Sequence, residues 1–136
     1  MVEKMKNVDN LLRISIVIIL LITILACGIV EQIYIAKTFD RLEELSVDIY
    51  NRLQKKDFAS ALAETQTMIK WWEKQRDILE FLCPNSDIKE IIREMSELEG
   101  SQLAAMYDDS VTRANVLKVM AKNSKNLLAY NWKNVL

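Results

Sequence analysis

The segment ISIVIILLITILACGIV, residues 14–30, contains no charged residue, and 12 of its 17 side chains are Ile, Leu or Val. Counting back to Leu11 gives 20 residues, of which only Arg13 is charged. A helix of 20 residues is about 30 Å long, which matches the hydrocarbon core of a bilayer. The sequence therefore predicts a transmembrane helix at residues 11–30, a tail at 1–10 and a domain at 31–136.

Insertion of this segment is favourable by roughly 4–7 kcal/mol, because each Ile, Leu or Val contributes about 0.3–0.6 kcal/mol at the helix centre. A lone strand would leave its backbone groups unpaired in lipid. We predict an uncleaved signal anchor. Two alternatives remain: a lipoprotein signal acylated at Cys27, since residues 24–27 resemble a lipobox, and a signal cleaved near Ala26.

Basic residues predict the orientation of the anchor. Lys4, Lys6 and Arg13 precede the apolar segment, whereas only Lys37 and Arg41 follow it within about 15 residues. The positive-inside rule places the N-terminus in the cytoplasm and residues 31–136 outside it. We therefore predict a single-pass protein of the cell membrane.

The composition of the chain restricts both its fold and its chemistry. Two Gly and one Pro in 136 residues are too few for a turn-rich β fold, so long helices are expected. The absence of His removes the commonest general base and the commonest zinc ligand. With Cys27 in the anchor and Cys83 far from it, no internal disulfide framework is expected, and Cys83 would be a thiol or an intermolecular link.

Apolar residues recur at helical spacing in four stretches, which predict helices at about 31–55, 57–82, 87–107 and 110–133. Asp57 is a candidate cap of the second helix, and Ser86 or Asp87 of the third. Gly100 interrupts the third stripe, and we expect it to permit close helix approach. The four stripes are Ile35, Phe39, Leu42, Leu45, Ile49 and Leu53; Phe58, Ala61, Leu62, Thr65, Ile69, Trp72, Arg76 and Leu79; Ile88, Ile91, Ile92, Met95, Leu98, Leu103 and Met106; and Val111, Ala114, Leu117, Ala121, Leu127 or Leu128, Asn131 and Val135.

These patterns predict an all-α protein, with one N-terminal transmembrane helix continuing into an antiparallel four-helix bundle. Residues 87–109 carry seven acids and two bases, and residues 110–136 carry five bases and no acid, so the last two helices attract each other. Residues 56–61 and 108–114 look alike, which suggests a degenerate repeat of two helical hairpins.

We find no catalytic constellation, and we predict a protein that is not an enzyme and that needs no cofactor and no metal. The two glycines, 72 residues apart, form no phosphate loop. Glu90, Glu94 and Glu97 share a helix face, which is typical of a solvated acidic surface. Residues 31–136 carry 15 Lys+Arg and 17 Asp+Glu, so no nucleic acid is expected as a partner.

Two groups of residues are candidates for binding. The adjacent Trp71 and Trp72 point about 100° apart, so one should enter the core and the other flank it. Aromatic and Met side chains favour protein partners, and the candidate contact residues are Trp71, Trp72, Met95, Met106 and Tyr107. Up-and-down helices would bring the C-terminus back to the bilayer. There the candidate contacts with membrane lipid are Tyr130, Trp132 and Lys133.

The apolar N-terminal segment, residues 55–62 (KKDFASAL), residues 71–74 (WWEK) and residues 95–100 (MSELEG) carry a resemblance that covers nearly the whole chain. The chain resembles a family of short bacterial single-span membrane proteins of unknown function with a helical-bundle ectodomain, often encoded near YetF-type membrane proteins. The resemblance implies an accessory role beside a membrane partner, and it implies no catalytic residue.

These observations lead us to expect a non-catalytic, membrane-anchored helical bundle that serves as an accessory or interaction subunit of a bacterial envelope protein. One alternative is a ligand-sensing ectodomain, although residues 1–10 are too short for a cytoplasmic output domain. Another is a structural coiled-coil component of envelope machinery, which would self-associate through Leu42, Leu45, Ile49 and Leu53. The sequence leaves the oligomeric state open.

Overall fold

The computed structural model describes the backbone of residues 1–133 and the side chains of Met1 and of residues 7–127. It is all-helical, and no strand occurs among residues 1–133. The four helices are α1 (Val2–Gln54), α2 (Phe58–Leu82), α3 (Asn85–Leu103) and α4 (Tyr107–Lys133).

The first helix confirms that the apolar segment continues into the next predicted helix without a break. It is 53 residues long and contains residues 11–30 together with the first amphipathic stripe. The chain divides into two compact units, Met1–Ile33 and Tyr34–Leu136, so the division falls within α1.

The unit Met1–Ile33 presents its apolar side chains outward. The Ile, Leu and Val side chains between Ile14 and Val30 are 49–68% exposed. By length and composition, α1 is one helix that could cross a membrane, and its apolar window has no residue buried inside the chain. A helix apolar on all sides suits a lipid environment, since water would surround these side chains otherwise.

The core of the unit Tyr34–Leu136 is built first on α1. All six residues of its predicted stripe are at most 3% exposed, namely Ile35, Phe39, Leu42, Leu45, Ile49 and Leu53. Thr38 and Ser46 are also buried, and their hydroxyls donate hydrogen bonds to the backbone oxygens of Tyr34 and Leu42. The predicted periodicity of this helix is therefore confirmed.

The other three helices bury a narrower stripe. Their apolar core residues are Ala61, Met68, Trp72, Leu79, Ile88, Ile91, Met95, Leu98, Ala114, Leu117 and Ala121. Four predicted core positions among the described residues are wrong: Leu103, Met106 and Leu127 are 65%, 56% and 62% exposed, and Arg76 is exposed and pairs with Glu80. The predicted positions Leu128, Asn131 and Val135 lie outside the described side chains. The third stripe ends early because α3 itself ends at Leu103.

Contacts between neighbouring helices run in opposite sequence directions. In each pair the residue number rises along one helix while that of its partner falls, which is consistent with antiparallel packing. The contacts are Tyr34 with Gln75 and Phe39 with Trp72, Asp40 with Lys125 and Tyr50 with Lys118, and Glu97 with Arg113 and Ser101 with Ser110.

The turns after α1 and α3 have the same backbone geometry. Lys56 and Ala105 both have a positive φ, of 59° and 55°. The following amides, of Asp57 and Met106, donate to the carbonyls of Arg52 and Ser101 at 2.9 and 2.8 Å. Both turns are Schellman motifs, in which a left-handed residue ends the helix and satisfies its last carbonyls.

Two predicted side-chain caps are not formed. Asp57 precedes α2, but its carboxylate makes no capping hydrogen bond and lies 3.8 Å from Arg52 Nη1 instead. Helix α3 begins at Asn85 with Pro84 at the cap position, so Ser86 and Asp87 lie inside the helix. The prediction placed these caps from residue type alone, whereas the turn geometry determines where each helix begins.

The two turns define a register of 49 residues. Lys56 and Ala105 are 49 positions apart, and so are Phe58 and Tyr107, the first residues of α2 and α4. This register corrects the alignment of residues 56–61 with 108–114. At the same spacing, buried positions coincide: Phe39 with Ile88, Leu42 with Ile91, Ile49 with Leu98, Ala61 with Ser110, Thr65 with Ala114, Met68 with Leu117, and Trp72 with Ala121.

Candidate functional site

Two residues of the predicted partner contact are buried in the core. Trp72 and Met95 are 1% and 2% exposed, so neither side chain is accessible to another protein. The ring centroid of Trp72 lies 6.1 Å from that of Phe39, in an edge-on arrangement. Both residues are core residues, because they face the space between helices in which the other large apolar side chains lie.

Trp71 flanks the core, as the sequence predicts for one of the two tryptophans. It is half-buried, and its ring lies 6.0 Å from that of Trp72 at an interplanar angle of 59°. The remaining surface of an indole is amphipathic, and such a ring can contribute to a protein contact without unfolding anything. Trp71 therefore stays a candidate.

Met106 and Tyr107 lie together at the turn between α3 and α4. Met106 is 56% exposed, and Leu103, which precedes it by three residues, is 65% exposed. Tyr107 stacks on Phe58, with ring centroids 3.5 Å apart and planes 8° from parallel. We call these four residues, Phe58, Leu103, Met106 and Tyr107, the turn-end patch.

The turn-end patch borders a cleft of about 240 Å³. The cleft combines apolar walls with one cation and one anion, from Lys56 and Asp108. Its full lining is Leu53, Gln54, Lys56, Phe58, Tyr107, Asp108 and Val111. An exposed apolar patch rimmed by charges is typical of a protein-binding surface.

Sequence reasoning missed Leu103 as a surface residue, because its spacing places it on the buried face of a longer helix. The left-handed residue that ends α3 is Ala105, and alanine gives no signal of a helix end. Exposed Leu103 follows from that turn.

The acidic face of α3 is only partly solvated, which corrects one prediction. Glu94 is 8% exposed, and its carboxylate accepts from Arg93 and Arg113 at 3.4 Å each. Arg113 also pairs with Glu97, and its Nε lies 2.8 Å from Asp109 Oδ2. The hydrogen bond to Asp109 raises the pKa of the Arg113 guanidinium, and burial opposes that shift. Arg113 therefore joins α4 to α3 electrostatically.

The predicted lipid contacts Tyr130, Trp132 and Lys133 have side chains outside the described residues. Cys83 is buried and Cys27 is exposed. An intermolecular link at Cys83 would require its side chain to leave the core. Among the described residues, no group of three or more His, Cys, Asp or Glu side chains is placed to hold a metal ion.

Comparisons with known proteins add no relative to this description. A scan against protein-family models, a search of curated proteins and a search of solved structures each found no match. The resemblance of residues 55–62, 71–74 and 95–100 to a bacterial single-span family stays a prediction, and the geometry of the chain has to support any proposal of function.

Proposed function

We propose that this protein is a non-catalytic, membrane-anchored antiparallel four-helix bundle that binds another protein of the bacterial envelope. One observation carries the proposal: α1 supplies an outward-facing apolar segment and also six core residues of the following unit. The apolar segment and the first core helix of the domain are therefore parts of one continuous helix.

The exposure of the apolar side chains between residues 14 and 30 supports the proposal that the protein is anchored in a membrane. Large apolar side chains left half or more exposed in water are unfavourable, and here they form one uninterrupted stretch. Placing them in lipid recovers roughly 4–7 kcal/mol. The N-terminal cations, Arg13 among them, favour a cytoplasmic N-terminus with the domain outside the cytoplasm.

The turn-end patch supports the binding half. Leu103 and Met106 form exposed apolar surface beside the stacked rings of Phe58 and Tyr107, which are the first residues of α2 and α4. Aromatic and Met side chains are enriched in protein interfaces. A partner in the same bilayer is met at a raised effective concentration, so a small patch suffices.

The two alternatives receive less support. A coiled-coil component needs Leu42, Leu45 and Ile49 free for another chain, but these side chains are at most 3% exposed within this chain. A ligand sensor needs an enclosed site, and the cleft at the turn-end patch lies open between two helix starts.

Membrane extraction tests the anchoring half. We expect the full chain to stay in the membrane fraction at alkaline pH, and to be digested by external protease beyond residue 30. Release into the aqueous fraction of an uncleaved and unacylated chain would disprove the anchoring half.

Crosslinking in native membranes tests the binding half. We expect wild-type protein to capture a membrane protein, and the double variant Leu103→Ser, Met106→Ser to lose most of that product. Val119→Ser is the matched control, since Val119 is 45% exposed on α4 but lies outside the patch. Equal capture by all three proteins would mean that the patch is not the contact.

A further inference from the structure

Two apolar side chains near the end of α2 are exposed without belonging to the turn-end patch. Phe81 is 88% exposed and Ile78 is 50% exposed, and both lie on α2 close to its last residue, Leu82. Among the described large apolar residues, only Met1 is more exposed than Phe81. A phenylalanine this exposed projects from the surface and does not lie in a groove.

The position of these residues follows from the pairing of α2 with α1. The Tyr34 hydroxyl donates to Gln75 Oε1 at 2.6 Å, so Gln75 lies beside the first residue of the unit Tyr34–Leu136. Helix α2 then runs on to Phe81, about 9 Å beyond that level. The end of α2 therefore lies at the end of the unit where the chain arrives from the anchor.

The chain leaves little distance between this end and the bilayer. Tyr34 follows the apolar segment by only four residues, since that segment ends at Val30. Four residues span at most about 14 Å even when fully extended, so Tyr34 lies near the lipid that holds residues 11–30. Phe81 belongs to the same end of the unit as Tyr34, which makes it a candidate for contact with that lipid.

Charges around Phe81 and Ile78 are compatible with a membrane surface. Glu80 is paired with Arg76, whose Nε lies 2.7 Å from Glu80 Oε1. Asp77 is one turn farther from the end of the helix, so it can stay among the headgroups while Phe81 lies deeper. Lys74 lies seven residues before Phe81 and so on the same side of α2, where it can interact with anionic headgroups, whereas Asp87 adds an acid in the first turn of α3.

From these observations we propose that Phe81 and Ile78 insert into the interface of the bilayer that holds the anchor, and so fix the domain against the membrane. The inference rests on the proposed anchoring. Lipid is the occupant because a fluid phase accepts a projecting ring without a complementary surface, and because the connection through Tyr34 brings this end of the unit to the bilayer.

Photo-crosslinking of the full chain in its native membrane tests the inference. We would replace one residue with p-benzoylphenylalanine, as Phe81→p-benzoylphenylalanine, and measure lipid adducts by mass spectrometry. The matched control is Leu103→p-benzoylphenylalanine, since Leu103 is 65% exposed at the opposite end of the unit. We expect about tenfold more lipid adduct at position 81 than at position 103, reflecting burial of the whole side chain.

The outcomes separate this inference from the proposed function when alkaline extraction is run on the same samples. A chain that resists extraction but gives at position 81 only protein adducts, or no more lipid than at 103, overturns the insertion of Phe81 and leaves the anchor intact. A chain released by alkali overturns both. Ile78→p-benzoylphenylalanine should also give lipid adducts. If it gives none, Ile78 does not insert into the bilayer interface beside Phe81.

Discussion

At the scale of single residues, glycine and alanine occupy each other's preferred places around the end of α3. A Cβ added to Gly100 would meet no atom within 4 Å, so the expected close helix approach is absent. Ala105, in contrast, adopts a φ of 55°, a conformation that is strained for alanine and unstrained for glycine. This helix end is therefore less stable than it would be with alanine at position 100 and glycine at position 105.

We expect Gly100→Ala to raise the free energy of unfolding by about 0.5–1 kcal/mol, because alanine restricts the unfolded chain and fits the helix. Ala105→Gly should raise it by a similar amount, through relief of left-handed strain. Ala104→Gly is the control and should destabilise, since Ala104 has an ordinary φ of −81°. Thermal unfolding followed by circular dichroism measures all three.

Gln102 is a second residue whose side chain does not suit its place. It is 6% exposed, and neither atom of its amide group has a hydrogen-bond partner among the described residues. In the 49-residue register it corresponds to Leu53, which is 3% exposed. We expect Gln102→Leu to stabilise the protein by about 1–2 kcal/mol, because a buried unpaired amide is costly. Chemical denaturation that gives a lower midpoint would show that the amide has a partner.

Arg113 is a charged residue whose side chain is largely buried and pairs with a buried carboxylate. Its side chain is 27% exposed and pairs with Glu94, which is 11% exposed, whereas Arg93 is 60% exposed. We expect Arg113→Ala to lower the free energy of unfolding by about 1–3 kcal/mol, since it leaves Glu94 charged in a poorly solvated place. Arg93→Ala should cost less than about 0.5 kcal/mol. Equal losses in denaturant titrations would contradict this ranking.

At the scale of helices and turns, the stacked Phe58 and Tyr107 join the two hairpins, because each ring begins the second helix of its own hairpin. A double-mutant cycle of Phe58→Ala and Tyr107→Ala should give a coupling free energy of about 0.5–1.5 kcal/mol. The pair Phe58→Ala and Phe81→Ala serves as the control and should be additive, since exposed Phe81 lies at the far end of α2. Additivity of both pairs would mean that the stack contributes nothing specific.

The sequence predicted helix faces better than helix ends. The helical spacing of apolar residues alone identified all six apolar core residues of α1 beyond Tyr34, because they all lie on one stripe. It could not locate the end of α3, since the residues that end α1 and α3 in the left-handed conformation are Lys56 and Ala105. Met68 was missed as a core residue because the predicted stripe of α2 passed through Thr65 and Ile69, on either side of it.

The candidate surface was predicted less well than the core, and for a physical reason. Residue type suggests that Trp and Met favour interfaces, but it does not distinguish a buried Met95 from an exposed Met106. That difference arises from the turn at residues 104–106, which directs Met106 to solvent. Exposure of Phe81 was likewise hidden, since an apolar residue near a helix end is more often buried.

At the scale of the whole molecule, the burial of one face of α1 favours a monomeric bundle over a self-associating coiled coil. Residues 34–54 bury their apolar face against the helices that follow, so that face is not available to a second chain. We therefore expect a fragment comprising residues 34–136 to be a compact helical monomer with a radius of gyration of about 13 Å. Small-angle scattering and sedimentation measure both properties.

A substitution in the core distinguishes the two arrangements within the same fragment. Leu42 is 0% exposed, so Leu42→Asp should abolish the helical circular dichroism signal of a monomeric bundle, because an unpaired carboxylate cannot be buried there. In a coiled coil the same change would instead dissociate an elongated dimer. Glu44→Asp, at an exposed position of the same helix, should leave mass and helicity unchanged. An elongated dimer of the unsubstituted fragment would disprove the bundle.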